Sequence, residues 1–342
     1  MQEGPPQMSA PHRSRRRAPG HRRNMVLALT MAGALAVTPA LTVTTPLAFG
    51  WTGQQRFKTG VDLVQFSVVL TDKQGVPITD LKVGDFEVVE EGKPQTITYF
   101  AAGDPEDGDH LGEALPLHLG LTLDLSGSME RDIHDVRTAV IKFLNNNRSA
   151  IDFTLVDFDT EIRIARYSAD ESERLIERIR RRRPDGWTAL FDAVGVYLNS
   201  VGPLDGQKIM LLYTDGGDTR SELTFSDLID LLKSSDVTVY AIGYLEYTSS
   251  SYRNQAQTQL TRMAQITGGQ AFFPSNVKEL DKIYDKIQRE IAARYSLGYV
   301  SSDTRKDGAW RRVTIKAKRP DLKDAKLRTR TGYFAPYQPG SY

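Results

Sequence analysis

Asp124, Ser126 and Ser128 stand at alternate positions in Asp124-Leu125-Ser126-Gly127-Ser128, where an apolar run from Leu115 to Leu123 meets an amphipathic segment. One carboxylate and two hydroxyls so spaced are hard oxygen donors on a loop at a strand's carboxyl end, where open α/β sheets hold their ligands. Two more oxygen donors follow at comparable places: Thr188 in Gly186-Trp187-Thr188-Ala189-Leu190, and Asp215 in Leu212-Tyr213-Thr214-Asp215-Gly216-Gly217. The chemistry such a set suits is binding of a small divalent cation. Mg2+ takes six oxygens in a near-octahedral array and keeps several waters, so a protein offers it a few side chains rather than a cage; Mn2+ and Ca2+ use the same donors. Taken singly these residues have plainer uses, since Ser126 or Ser128 would equally cap a helix starting near Met129, and Gly127, Gly216 and Gly217 would equally form turns.

Other chemistries are harder to build from this chain. A phosphatase-type nucleophilic aspartate expects a second acid two places on, where Ser126 stands, and there is neither a Gly-Lys-Ser/Thr phosphate loop nor a Gly-x-Ser-x-Gly elbow. Beyond the first 48 residues the histidines are His110, His118 and His134, with His118 in an apolar strand and His134 in a helix, an unpromising basis for a triad. Cysteine is absent, which removes disulfides, thiol nucleophiles and zinc-thiolate sites. A metal-dependent hydrolase or phosphoryl-transfer enzyme, and a structural envelope scaffold with a vestigial metal site, stay as alternatives to a binding module.

The elements that must position these residues are legible as alternating strands and helices, the pattern of a parallel sheet covered on both faces. Strands are expected at 115–123, 208–213, 237–243 and 270–273, with a hairpin over 152–157 and 161–167 supplying one antiparallel edge. Ile133, Val136, Val140 and Phe143, and again Val277, Leu280, Tyr284, Ile287 and Ile291, recur at helical spacing. Gly120 and Thr122 between the leucines of the first strand let helices approach its second face, which predicts a central position for it. On either side lie shorter alternating segments, 61–70 and 85–90 before, and 295–300, 310–318 and 327–334 after, each with one polar face. The expected architecture is a doubly wound, mostly parallel α/β domain at 115–293, inserted in a β-sandwich-like domain contributed by 59–103 and 294–336.

With 40% hydrophobic and 25% charged residues over 342 positions, the chain has the composition of folded domains with real cores. Residues 1–48 hold six arginines and one glutamate, and the remainder carries 38 basic against 42 acidic side chains, a balance that predicts no nucleic-acid partner. Residues 25–50 carry no charge and follow an arginine-rich segment, the order of an export signal, with Pro39 and Pro46 arguing for cleavage over a permanent anchor. An exported, secreted, periplasmic or envelope-associated protein is expected, touching a membrane only through an uncleaved N-terminal segment.

Asp124-x-Ser126-x-Ser128, Thr188 and Asp215, in that order and with those flanks, resemble the metal-ion-dependent adhesion site of the von Willebrand factor type A (VWA) domain, and the resemblance spans residues 115–293. It implies that Ser126 and Ser128 bind the ion directly while Asp124, Thr188 and Asp215 do so directly or through water, and that one coordination position is left for the Asp or Glu carboxylate of a protein partner. Over residues 60–336 the pattern resembles bacterial exported VWFA-related proteins. Trp187 replaces the small residue usual in relatives, and either shapes the partner surface or packs inward. Arg178 and Arg180 to Arg183 form either a solvated face or a patch that draws an acidic partner, with Arg182 and Arg183 nearest to Thr188.

Overall fold

Leu119, Leu121 and Leu123 of strand Leu117–Asp124 point into one core, while Gly120 and Thr122 face the other, and the domain is built outward from that strand. The structure is a computed structural model, describing residues 63–338 apart from 103–110, 112–114, 247–248 and 277. The expected export segment at 1–48, His110 and Val277 lie outside the described residues. In chain order the elements are β1 (Leu63–Thr71), β2 (Phe86–Glu90), β3 (Lys93–Gln95), β4 (Ile97–Ala101), β5 (Leu117–Asp124), α1 (Ile133–Asn146), β6 (Asp152–Phe158), β7 (Ile162–Ser168), α2 (Ser172–Arg181) and α3 (Leu190–Val201). There follow β8 (Gln207–Thr214), α4 (Phe225–Ser234), β9 (Thr238–Gly243), α5 (Ser250–Ile266), β10 (Gln270–Phe272), α6 (Lys278–Ala292), β11 (Tyr295–Val300), β12 (Trp310–Ala317), β13 (Lys326–Arg328) and β14 (Gly332–Phe334).

The central sheet has the order β10-β9-β8-β5-β6-β7, parallel throughout except for the antiparallel edge strand β7. Its order reverses between β5 and β8, so the loops leaving those two strands diverge and leave a crevice. Buried residues of α1, α2 and α6 pack on the leucine face of β5, and those of α3, α4 and α5 on the opposite face. There Tyr197 of α3 takes the space over Gly120, where an added Cβ would fall 2.1 Å from the ring. Instead of a helix beginning near Met129, a 3-10 turn spans Gly127–Arg131 and α1 starts at Ile133, which leaves the loop after β5 room to curl back over the strand end. Among the described residues no helix is long and apolar enough to cross a membrane.

Strands from both sides of this domain pair into two antiparallel sheets, β13-β1-β11-β4 and β14-β12-β2-β3. Phe66, Phe86, Phe100, Tyr295, Leu297, Val313 and Ile315 fill the core between them. The segment 327–334, read from its alternation as one strand, is two. Arg328 pairs with Val69 in one sheet and Gly332 with Arg312 in the other, so the chain crosses between sheets at Thr329-Arg330-Thr331. Arg330 sits at that crossing, 4.6 Å over the Phe66 ring, donating to the carbonyls of Gln65 (2.7 Å) and Ser235 (3.2 Å). It is one of several polar contacts joining the sandwich to the α/β domain. Buried Arg294, between α6 and β11, donates to the hydroxyls of Thr238 and Tyr240, and Gln207 Nε2 donates to Ser296 Oγ at 3.0 Å.

Candidate metal centre

Asp124, the last residue of β5, is fully buried, and its carboxylate accepts from the backbone N–H of Ser126 at 2.9 Å and the hydroxyl of Thr214 at 2.6 Å. The first bond turns the chain sharply after the strand, and the second ties it to the end of β8. Ser126 Oγ lies 3.2 Å from Ser128 Oγ, which donates to Asp215 Oδ1 at 3.0 Å. Asp124, Ser126, Ser128 and Asp215 are thus linked in one continuous set of contacts at the crevice between β5 and β8. Ser126 occupies the cap position of the 3-10 turn without making a side-chain cap hydrogen bond, and the Ser128 hydroxyl goes to Asp215 instead, so helix capping does not account for either serine.

Thr188 reaches the same place through its backbone. Gly127 N–H donates to the Gly186 carbonyl (3.1 Å) and Asp185 N–H to the Leu125 carbonyl (2.9 Å), laying the second loop against the first. Thr188 is buried; its N–H donates to Thr219 Oγ1 at 3.0 Å, and its carbonyl accepts from the N–H groups of Thr219 (2.9 Å) and Arg220 (3.1 Å). It is therefore held between the loop after β5 and the loop after β8.

Both carboxylates are pushed toward their neutral forms. Burial raises Asp215 to about 7, the charge of Asp124 adds to the rise, and the Ser128 hydroxyl opposes it. Asp124 is raised chiefly by burial, against the hydrogen bonds from Thr214 and Ser126, and the charge of Asp159 pushes the same way. A pair of desolvated carboxylates beside two hydroxyls is a poor arrangement for two anions alone and a fitting one for a hard cation, whose charge reverses the local pKa logic. Among the described residues no group of three His, Asp or Glu side chains is arranged to hold a metal ion, so an ion here would rest on hydroxyl as well as carboxylate oxygen.

The flanking candidates part company. Trp187 is 65% exposed, which overturns the inward-packing alternative. Gly186 before it has φ of 73°, and a Cβ there would meet Thr160 Oγ1 at 2.4 Å; that hydroxyl also accepts the Trp187 N–H at 2.9 Å, so the backbone is pinned with the ring outside. Arg182 is not a free surface cation, lying 3.5 Å from buried Asp157 and 3.8 Å from Asp159. Arg178 and Arg163 also bond Asp157, and Arg181 pairs with Glu177, so of the two arginines expected near a partner Arg183 is the exposed one and Arg182 is engaged with buried carboxylates. The reading by residue type passed over Thr214, whose one available signal was a hydroxyl immediately before Asp215 at a strand end.

Residues 119–286 match the von Willebrand factor type A domain model. Solved structures similar to this chain include a mutant of the PilB minor pilin from Streptococcus sanguinis, at 16% identity and a TM-score of 0.45, covering 56% of this chain and 63% of that one. This chain therefore spans just under two thirds of that relative's length. The vWF domain of the type V pili tip protein Mfa5 from Porphyromonas gingivalis is similar at 13% identity and a TM-score of 0.45, covering 53% of this chain and 96% of that one. A von Willebrand factor type A structure from Catenulispora acidiphila shares 13% identity over 83% of this chain and 76% of its own, with a TM-score of 0.44. No curated protein matches. The doubly wound sheet and the family match coincide, and over residues 119–286 this chain is a von Willebrand factor type A domain.

Proposed function

We propose that the VWA domain binds a divalent cation, Mg2+ first among candidates, at Asp124, Ser126, Ser128, Thr188 and Asp215, and uses it to hold an Asp or Glu carboxylate of a protein partner in adhesion or envelope assembly. The observation that carries this reading is the Ser128 to Asp215 hydrogen bond, which joins loops 87 residues apart beside the fully buried carboxylate of Asp124 and the partly buried one of Asp215. Two aspartates nearly neutralise the ion, and a position free of protein ligands stays Lewis acidic toward a third carboxylate. A binding role suits the site better than acid-base catalysis. His118 sits at the far end of β5 from Asp124, engaged with Asp152 at 3.0 Å and the Asp205 carbonyl, and His134 is a surface residue of α1. The arginine-rich segment followed by an uncharged one supports export.

Calorimetric titration of the whole chain with MgCl2 or MnCl2 tests the cation. One site is expected in the wild type and none in Asp124→Ala; absence of heat from the wild type, or equal binding by the variant, rejects the reading. Retention of a partner from envelope extract should disappear in EDTA and return with Mg2+. Phosphatase or protease activity dependent on Asp124 would instead favour the enzyme alternative.

Trp187 is the natural contact beside the ion. An exposed indole on a pinned backbone loses little entropy on association, and such rings are frequent binding anchors. Trp187→Ala is expected to leave thermal stability within about 0.5 kcal/mol of wild type and to weaken partner retention at least about tenfold. Unchanged retention would remove Trp187 from the interface.

A further inference from the structure

Helix α3 begins two residues after Thr188 and cannot cap itself. Its cap residue is Ala189, which has no side-chain acceptor for the N–H groups of the first turn. Those groups are satisfied from the loop that follows Asp215. Phe191 N–H donates to Asp218 Oδ1 at 3.2 Å, and Asp192 N–H donates to Ser221 Oγ at 3.0 Å. Ser221 is itself held by Asp218, through its hydroxyl to Oδ1 and its N–H to Oδ2 at 3.2 Å. Reciprocally, the Asp192 carboxylate accepts from the N–H groups of Glu222 and Leu223, both at 2.9 Å. One step closer to the crevice, Thr219 Oγ1 accepts the Thr188 N–H at 3.0 Å, and the Thr188 carbonyl accepts from Thr219 and Arg220. The cap is thus supplied in trans, and its bonds run in both directions between two loops.

Thr188 belongs to one of these loops and Asp215 to the other. No strand pairing fixes their separation, because Thr188 lies outside the sheet and Asp215 lies just past the end of β8. Hydrogen bonds from Thr219, Asp218, Ser221 and Asp192 do. We infer that Asp218 and Thr219 are positioning residues for the cation site, acting through Thr188 and the first turn of α3 to set its distance from Asp215. The inference rests on the cation reading above and extends it to residues that carry no ligand oxygen themselves. Loss of an orienting partner behind metal ligands lowers metal affinity about 10- to 100-fold in general, and the latch is expected to fall in that range.

The test uses the full chain with Mn2+ as probe. Thr219→Val removes the hydroxyl acceptor of the Thr188 N–H and keeps the side-chain shape, Thr219→Ser restores the hydroxyl, and Asp218→Ala removes the acceptor of Phe191. Mn2+ affinity by calorimetry is expected to drop at least about tenfold in Thr219→Val and Asp218→Ala and to recover in Thr219→Ser. Amide exchange at Thr188, measured in EDTA, should quicken in Thr219→Val, a readout independent of any ion. Thr267→Val, which removes a buried hydroxyl at the end of α5 that accepts the Val239 N–H at 3.0 Å, should lower the melting temperature without changing Mn2+ affinity. Wild-type affinity in either latch variant overturns the inference and leaves the cation reading standing, as does an equal loss of affinity in Thr267→Val. A wild-type chain without Mn2+ affinity overturns both.

Discussion

Asp215→Asn is expected to melt above the wild type in EDTA near about pH 8 and below it once Mg2+ is saturating. Ionising Asp215 in the folded domain works against burial and the neighbouring charge of Asp124, which is why it is raised from 3.8 to about 7. A displacement of that size corresponds to about 4 kcal/mol above both values, at about 1.4 kcal/mol per unit. Because Asp215 is partly exposed and shares the effect with Asp124, about 2 kcal/mol is the expected gain from replacing it, or roughly 4–8 °C in Tm for a domain of this size. Asparagine keeps a carbonyl oxygen for the Ser128 hydroxyl, so the loop contact survives. In Mg2+ the wild type alone gains binding energy, about 2.7 kcal/mol at a hundredfold excess over Kd, and the order reverses. A variant less stable than wild type in EDTA would show that the carboxylate pair is not the strained element described above.

The same linkage sets a pH dependence of opposite sign with and without ion. Raised carboxylates mean that the ion-free fold holds protons which the unfolded chain has released, so stability is greatest below 3.8 as far as this pair decides it, and is lost as pH rises toward about 7. Cation binding requires the ionised forms, so Mg2+ affinity should grow over that interval and level off above it. Melting curves across the interval, with EDTA and with Mg2+, should diverge as pH rises. Parallel curves would contradict the siting of the ion between Asp124 and Asp215.

Alternation and spacing carried most of the fold because the residues concerned respond to their nearest surroundings. The uncharged run of β5, with glycine and threonine set between leucines, already requires burial on both faces, and the hairpin at 152–167 announces the antiparallel edge. The crossing at Thr329-Arg330-Thr331 was not legible, because β13 and β14 keep the same period of two and only their separate partners, β1 and β12, reveal the break. Strands as short as β3, three residues long, leave no period to read. At the site, Asp124, Ser126, Ser128, Thr188 and Asp215 stand out as candidates in the sequence because each lies near a strand end or a helix start, and the fold brings the three loops that carry them together. Their supports do not stand out. Thr214 and Asp218 are ordinary loop and strand-end residues until the fold brings them to Asp124 and α3, since a cap supplied from elsewhere in the chain leaves no local signature. Outward placement of Trp187 depends on Thr160 and the left-handed Gly186, a contact across 27 residues.

Arg328→Met is the substitution expected to cost most outside the site, about 3–5 kcal/mol, because it leaves the Glu290 carboxylate buried without its partner. Glu290 on α6 is fully buried and lies 2.6 Å from Arg328 Nη2 on β13, so the ion pair spans the boundary between the α/β domain and the sandwich. Buried Arg294 and the crossing residue Arg330 cross the same boundary, and only Ala293 and Arg294 separate α6 from β11. Such a boundary resists sliding: each charged group would have to leave its partner in a poorly solvated place before finding another. Removing both charges together should be far milder, since a methionine facing a leucine in Glu290→Leu/Arg328→Met replaces an ion pair with apolar contact, and a double variant within about 1 kcal/mol of wild type is expected. Thermal unfolding of the wild type should then be a single transition in which α/β domain and sandwich melt together, shifted down by roughly 10 °C in Arg328→Met. Two resolved transitions in the wild type, or a single variant as stable as the double, would mean that the Glu290 to Arg328 pair does not couple the two parts.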